Sequence, residues 1–111
     1  MTALKYVIKY VSDMDRAVEF YRDRVGLTLR FSSAHWSEFE TGETTLALHA
    51  ANEDHPAGTA QLGFGTEDLD VFHAELKASG VEFTSPPTEQ FGSRIAKFIG
   101  FDGAECSVGG K

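Results

Sequence analysis

Thiols are almost missing from this chain: its 111 residues include one cysteine, Cys106. A lone cysteine closes no internal disulfide and builds no cysteine-based zinc site, which suits a reducing compartment. Long apolar runs are missing too. No stretch approaches the ~18 residues of a membrane span, and the opening MTALKYVIKYV has neither a signal-type apolar core nor a cleavage motif. The expectation is a cytoplasmic protein with no membrane partner. Positive charge is scarce, with 10 Lys and Arg against 17 Asp and Glu and a net charge of −7. Nucleic-acid binders need a basic stripe to release counterions, so nucleic acid is not an expected partner. A small anionic ligand stays open, because one local arginine can outweigh the global field. Catalytic signatures are absent as well. There is no HxH, HExxH, paired-cysteine or G-x-S-x-G spacing. Gly63-Phe64-Gly65 lacks the third glycine and the lysine of a phosphate-binding loop and reads as tight packing.

Aromatic residues are plentiful: 9 Phe, 3 Tyr and 1 Trp. They supply area for a core or an apolar pocket. Residues 4–11 alternate and are rich in Tyr, Val and Ile, as a strand requires. Ser12 is expected to cap the following helix, with Asp15 completing a capping box. Met14, Ala17, Val18, Tyr21 and Val25 form its apolar stripe, and Gly26 ends it. A strand at residues 27–31 follows. Residues 36–40 and 44–49 form a hairpin around Thr41-Gly42-Glu43.

After a polar stretch at residues 51–59, holding Pro56 and Gly58, the pattern returns. Residues 61–65 read as a strand. Thr66 stands in the place of Ser12, and Leu69, Phe72 and Leu76 form a stripe. Gly80 stands for Gly26, and residues 81–83 echo residues 27–29. Ser85-Pro86-Pro87 is expected to break the chain. Residues 94–99 and 104–108 form a last hairpin around Asp102-Gly103. An offset of 54 residues matches Ser12 with Thr66, Val18 with Phe72, Gly26 with Gly80 and Leu29 with Phe83. The internal repeat implies one α+β domain of two βαβββ modules: residues 1–51, a linker at 52–59, and residues 60–111. Neither half buries enough apolar surface alone. A half-barrel sheet leaves edges and a concave face that a second copy would cover, so a homodimer is expected.

The run from Tyr6 to Leu27 resembles the opening of vicinal oxygen chelate proteins, the glyoxalase I, bleomycin-resistance and extradiol-dioxygenase superfamily. Its marks are Val11-Ser12-Asp13 ending a strand, Phe20-Tyr21 in the helix, and Val25-Gly26-Leu27 after it. The second half is similar at Glu67-Asp68-Leu69, Gly80-Val81, Pro86-Pro87, Phe91-Gly92 with Arg94, and Asp102-Gly103. The resemblance implies two βαβββ modules enclosing a cup. In the enzymes, first and last strands of each half hold a divalent metal there. Metal-free members sequester drugs.

Carried over one position at a time, the resemblance puts the ligand positions on Tyr6, Ala47, Gln61 and Ser107. A phenol, a methyl, an amide and a hydroxyl are a poor set for a cation that needs carboxylate, imidazole or thiolate. Phe101 stands where the family often has proline. His49 and Glu105 each lie two residues from such a position, hence on the same strand face. With Gln61 they make a displaced His/Gln/Glu set, or else they point to solvent. His55 reads as solvated in the linker, His73 as the edge of the core, and His35 as surface. Cys106 alternates with Glu105 and Ser107 and reads as a small buried hydrophobe.

Tyr6, Ile8 and Tyr10 share one face of the first strand. With Trp36, and Phe39 or Glu38, the tyrosines either line an aromatic cup or fill a barrel. Arg94 could pair with a ligand carboxylate or phosphate. The expected function is metal-independent binding of an aromatic or partly apolar small molecule, of bleomycin-resistance type, with no cofactor. The ligand pocket would draw on Tyr6, Tyr10, Trp36, Ala47, His49, Gln61, Arg94, Glu105 and Ser107. The alternative is a glyoxalase-like lyase or dioxygenase using one divalent metal ion at His49, Gln61 and Glu105.

Overall fold

The computed structural model describes residues 1–90 and 92–111; Phe91, part of the family-like Phe91-Gly92 stretch, lies outside them. Contacts divide the chain into two compact units, Tyr6–Ala60 and Gln61–Lys111 together with Met1–Lys5. Each carries the βαβββ arrangement that the repeat implies.

In the first module the strands are β1 (Ala3–Val11), β2 (Thr28–Ser32), β3 (Trp36–Glu40) and β4 (Thr45–Ala50), and helix α1 (Met14–Glu19) follows β1. The order across the sheet is β2-β3-β4-β1. β1 and β4 run parallel with Ile8 opposite Ala47; β3 pairs antiparallel with β2 and β4. Alternation sends Val11, Leu29, Phe39, Leu46 and Leu48 to the side where α1 lies, packed on Met14, Ala17 and Val18. Phe39 and Leu48 are fully buried.

In the second module the strands are β5 (Ala60–Thr66), β6 (Phe83–Gln90), β7 (Ser93–Ile99) and β8 (Glu105–Gly110), with helix α2 (Leu69–Ala78) after β5. The order is β5-β8-β7-β6, with β5 and β8 parallel and Gly63 opposite Ser107. Its core gathers Leu69, Ala96, Phe98, Cys106 and Val108 under Phe72, Leu76 and Phe83.

Two expectations need correction at the helix starts. Ser12 and Thr66 do not cap. Asp13 and Asp68 do, each in extended backbone (φ −141° and −134°), accepting the amide N–H of Arg16 at 3.0 Å and of Val71 at 3.1 Å. A carboxylate satisfies an orphan amide and also meets the positive end of the helix, so it outcompetes the neighbouring hydroxyl.

The first helix is also not uniformly α-helical. Phe20–Arg24 form a π-helical turn, closed by Val25 N donating to Phe20 O. The repeat explains it. The caps Asp13 and Asp68 stand 55 residues apart, while the closing glycines Gly26 and Gly80, both at positive φ, stand 54 apart. The first helix therefore holds one residue more between the same two ends. A π-turn is how a helix absorbs a single extra residue without rotating what precedes it. Ahead of the turn the equivalent pairs are Met14 and Leu69, and Ala17 and Phe72; Tyr21, within the turn, still matches Leu76, and all six lie in the cores.

Ser85-Pro86-Pro87 does not end its strand. β6 runs through it at the end of the sheet order, with irregular register between Phe83, Ser85 and Thr88. A strand paired on one side only can carry residues without an N–H.

Two expected outcomes follow. Deleting Asp23 should give a cooperatively folding protein, because the π-turn holds a spare residue. Deleting Lys77 from α2 should abolish cooperative urea unfolding, because that helix has none. Equal tolerance of both deletions would contradict the account. Separately, burial and then Glu105 push the Cys106 thiol up from its ordinary value. It should resist iodoacetamide at pH 8 in the native protein and react once the chain is unfolded.

Candidate functional site

The face of the first-module sheet away from α1 is fixed by strand alternation. β1 places Tyr6, Ile8 and Tyr10 on it; register brings Thr45, Ala47 and His49 beside them, then Glu38 opposite Ala47 and Trp36 opposite His49. Of Phe39 and Glu38, it is therefore Glu38 that joins the tyrosines, while Phe39 packs under the helix. Ile8, Tyr10 and Ala47 form a buried floor with Trp36 against it.

The rings touch in sequence. Tyr6 meets Trp36 edge-on with centroids 6.2 Å apart, and Trp36 meets His49 at 5.9 Å. His49 lies 5.1 Å from Tyr10, and Tyr10 stacks on His55 at 4.5 Å with planes 8° apart. Tyr6 is 36% exposed while Tyr10 is 4% exposed, so the run has an open end and a closed one.

Polar groups border the rings. The indole Nε1 of Trp36 donates to Glu38 Oε2 at 2.8 Å, and Arg30 Nη1 donates to Glu38 Oε1 at 2.8 Å. Arg30 also holds Glu40 at 2.6 Å, so hydrogen bonding to Arg30 lowers the carboxyl pKa of Glu40 and, in return, raises that of the guanidinium. His49 Nδ1 lies 2.7 Å from Ala50 O. A carbonyl only accepts, so Nδ1 carries the hydrogen in that contact.

His55 is the residue that the sequence reading left in solvent. Asn52 Oδ1 accepts from His55 N at 2.8 Å and Asn52 N donates to His55 O at 3.0 Å, folding the loop back. Gly58 N donates to Tyr10 O, and Tyr10 N donates to Thr59 O, both at 2.9 Å. The available signal was the Asn52-to-His55 spacing, which suits an Asx turn.

In the second module, Gln61, Glu105 and Ser107 share the face away from α2. Gln61 Nε2 donates to Glu105 Oε1 at 3.2 Å, and Thr84 Oγ1 donates to Glu105 Oε2 at 2.7 Å. Cys106 points the other way, into the core. Arg94 stands apart from these residues. It alternates with Ala96 and Phe98 on the α2 side and grips Asp70 through Nη2 at 2.8 Å and Nη1 at 3.2 Å. That hydrogen bonding, ahead of the opposite charge, holds the Asp70 carboxyl below its ordinary range.

The internal repeat tests the four carried-over positions by register. Ala47 stands opposite Ile8 and Ser107 opposite Gly63, and Ile8 and Gly63 are equivalent at the 55-residue offset. Tyr6 and Gln61 lie two residues upstream of those partners. The four positions are thus two matched pairs. His49 and Glu105 are not matched: the counterpart of His49 is Gly109, and that of Glu105 is Thr45. Among the described residues, no three His, Cys, Asp or Glu side chains gather as an ion site requires. No described helix is long and apolar enough to cross a membrane.

Comparison with known proteins agrees with this architecture. The chain is 29% identical over 105 residues to the uncharacterized protein YraH of Bacillus subtilis (strain 168), covering 79% of this chain and 82% of that one. It superposes on the hypothetical protein BH1468 of Bacillus halodurans C-125 with a TM-score of 0.82 at 15% identity, covering 99% and 94% of the two chains. A methylmalonyl-CoA epimerase in complex with methylmalonyl-CoA matches with a TM-score of 0.81 at 20% identity, covering 100% and 95%. At those identities the solved structures bear on fold alone. The family model that matches residues 3–105 decides membership: the chain belongs to the Glyoxalase/Bleomycin resistance protein/Dioxygenase superfamily.

Proposed function

We propose that this protein binds a small aromatic or partly apolar molecule without a metal, in the manner of the bleomycin-resistance members of its superfamily. The observation that carries the reading is the ring run from Tyr6 through Trp36, His49 and Tyr10 to His55, bordered by Glu38. Such a surface offers a flat ligand stacking area, with a carboxylate that can accept a hydrogen bond from it. Arg94 is already committed to Asp70 and is not needed by this ligand.

The donor chemistry supports the metal-independent form. Tyr6, Ala47, Gln61 and Ser107 do not fit a divalent cation as a set, since Ala47 supplies no donor and the others are weak ligands at neutral pH. The displaced set of His49, Gln61 and Glu105 would have to draw on positions that the two modules do not share. No catalytic step is therefore assigned to a metal.

The only tryptophan of the chain, Trp36, lies within the proposed surface, so its fluorescence reports occupancy directly. Screening aromatic metabolites should find ligands that change Trp36 emission with one site per chain and the same affinity with and without EDTA. Tyr6→Ala should weaken such a ligand about tenfold, the scale of one stacked aromatic contact. Turnover that EDTA removes and one divalent ion restores would overturn the reading.

A further inference from the structure

In the first module a groove of about 380 Å³ lies between the start of α1 and the 57–58 segment, with Tyr10 as the one lining residue that it shares with the ring run. Its walls carry Lys9, Ser12, Arg16, Phe20 and Gly58, with Asp13 as its one acidic group. The local charge departs from the overall balance. The protein carries −7 overall, yet two cations face one carboxylate here. The Asp13 carboxylate is already engaged, as its Oδ1 accepts from Arg16 N at 3.0 Å.

The cations are available. Lys9 Nζ donates to Gly58 O at 3.0 Å, which holds the ammonium at the groove wall while using one of its three hydrogens. Arg22, Arg30 and Arg94 each hold a carboxylate. Among the described residues the Arg16 side chain has no such partner. Beside it Phe20 is 47% exposed, set perpendicular to Tyr21 with ring centroids 5.1 Å apart. Phe20 opens the π-turn, so the extra residue of the first helix begins at the groove.

We propose that this groove is a second binding site, taking a small aromatic carboxylate with its ring against Phe20 and its charge toward Lys9 and Arg16. Each part has a physical reason. An exposed phenyl ring gains by covering, and two cations beside one engaged carboxylate attract an anion. The site shares only Tyr10 with the ring run, while its cations and Phe20 take no part in that run.

Benzoate is the probe, titrated into the full isotope-labelled chain and followed by amide chemical shifts, with benzamide as the uncharged ring of the same shape. Benzoate should shift Ser12, Arg16, Phe20 and Gly58 saturably, and raising the salt should weaken it. Arg16→Ala, on an exposed helix position, should leave urea unfolding unchanged and weaken benzoate about fivefold, the scale of one screened charged contact. Arg16→Lys should restore most of that loss. Equal binding of benzoate and benzamide would overturn the proposal. So would shifts confined to the Trp36 indole, which would place the compound on the ring run instead.

Discussion

Each module depends on one ladder, the parallel pairing of its first strand with its last. A parallel pair needs a long crossover, and the helix plus two strands between β1 and β4, or β5 and β8, supply it. The pairing then dictates which side chains meet. Ile8 opposite Ala47 puts Tyr10 beside His49, and Gly63 opposite Ser107 brings Gln61 to Glu105. A slip of one residue would send the whole aromatic set to the helix side and Phe39 and Leu48 to the other. The buried packing of those two residues under α1 therefore also holds the rings in place from the opposite face of the sheet.

Much of this was legible in the sequence, because the signals were periodic. The turn at Gly42, the glycines closing the two helices and the stripe as far as Tyr21 fall where spacing put them, whereas Val25, expected to continue the stripe, is exposed beyond the π-turn. What was not legible came from competition between adjacent candidates. Ser12 and Asp13 both can cap, and the choice rests on which backbone is extended and which side chain carries charge. Pro86-Pro87 breaks a strand that is paired on both sides, and β6 is not such a strand. The single offset of 54 residues holds at Gly26 but not before the turn, where it is 55, and only helix geometry separates the two. Around the site, alternation located Tyr6, Tyr10, Trp36 and His49, but Arg94 lay one step from the face assumed for it. His55 was missed because loop side chains follow no period; its position comes from backbone bonds between the loop and Tyr10.

The π-turn shows how a repeat can diverge without losing its fold. The residues before it keep their equivalents in the second module, and so do those after Gly26, so both ends of the helix still meet the sheet in register. The added residue changes the outer surface between them. A helix with the twelve-residue cap-to-glycine spacing of the second module would lack one of the positions from Phe20 to Val25, two of which, Phe20 and Val25, leave large apolar side chains exposed. Exposed apolar area at an irregular turn is costly unless something uses it, which is the reason to look for a ligand there.

The same comparison separates the two sheet faces. Where the first module has Ile8, Tyr10 and His49, the second has Gly63, Gly65 and Gly109. Where the first has Thr45 and Ala47, the second has Glu105 and Ser107. One face is built of rings over an apolar floor; the other has glycines at those positions, beside Lys97 and a Gln–Glu–Thr hydrogen-bond chain. These matched positions have diverged in opposite chemical directions. Stacking needs rings on one surface only. The first module has thus gathered rings where the second has glycine, and the proposal of a stacked ligand draws on that difference rather than on any one side chain.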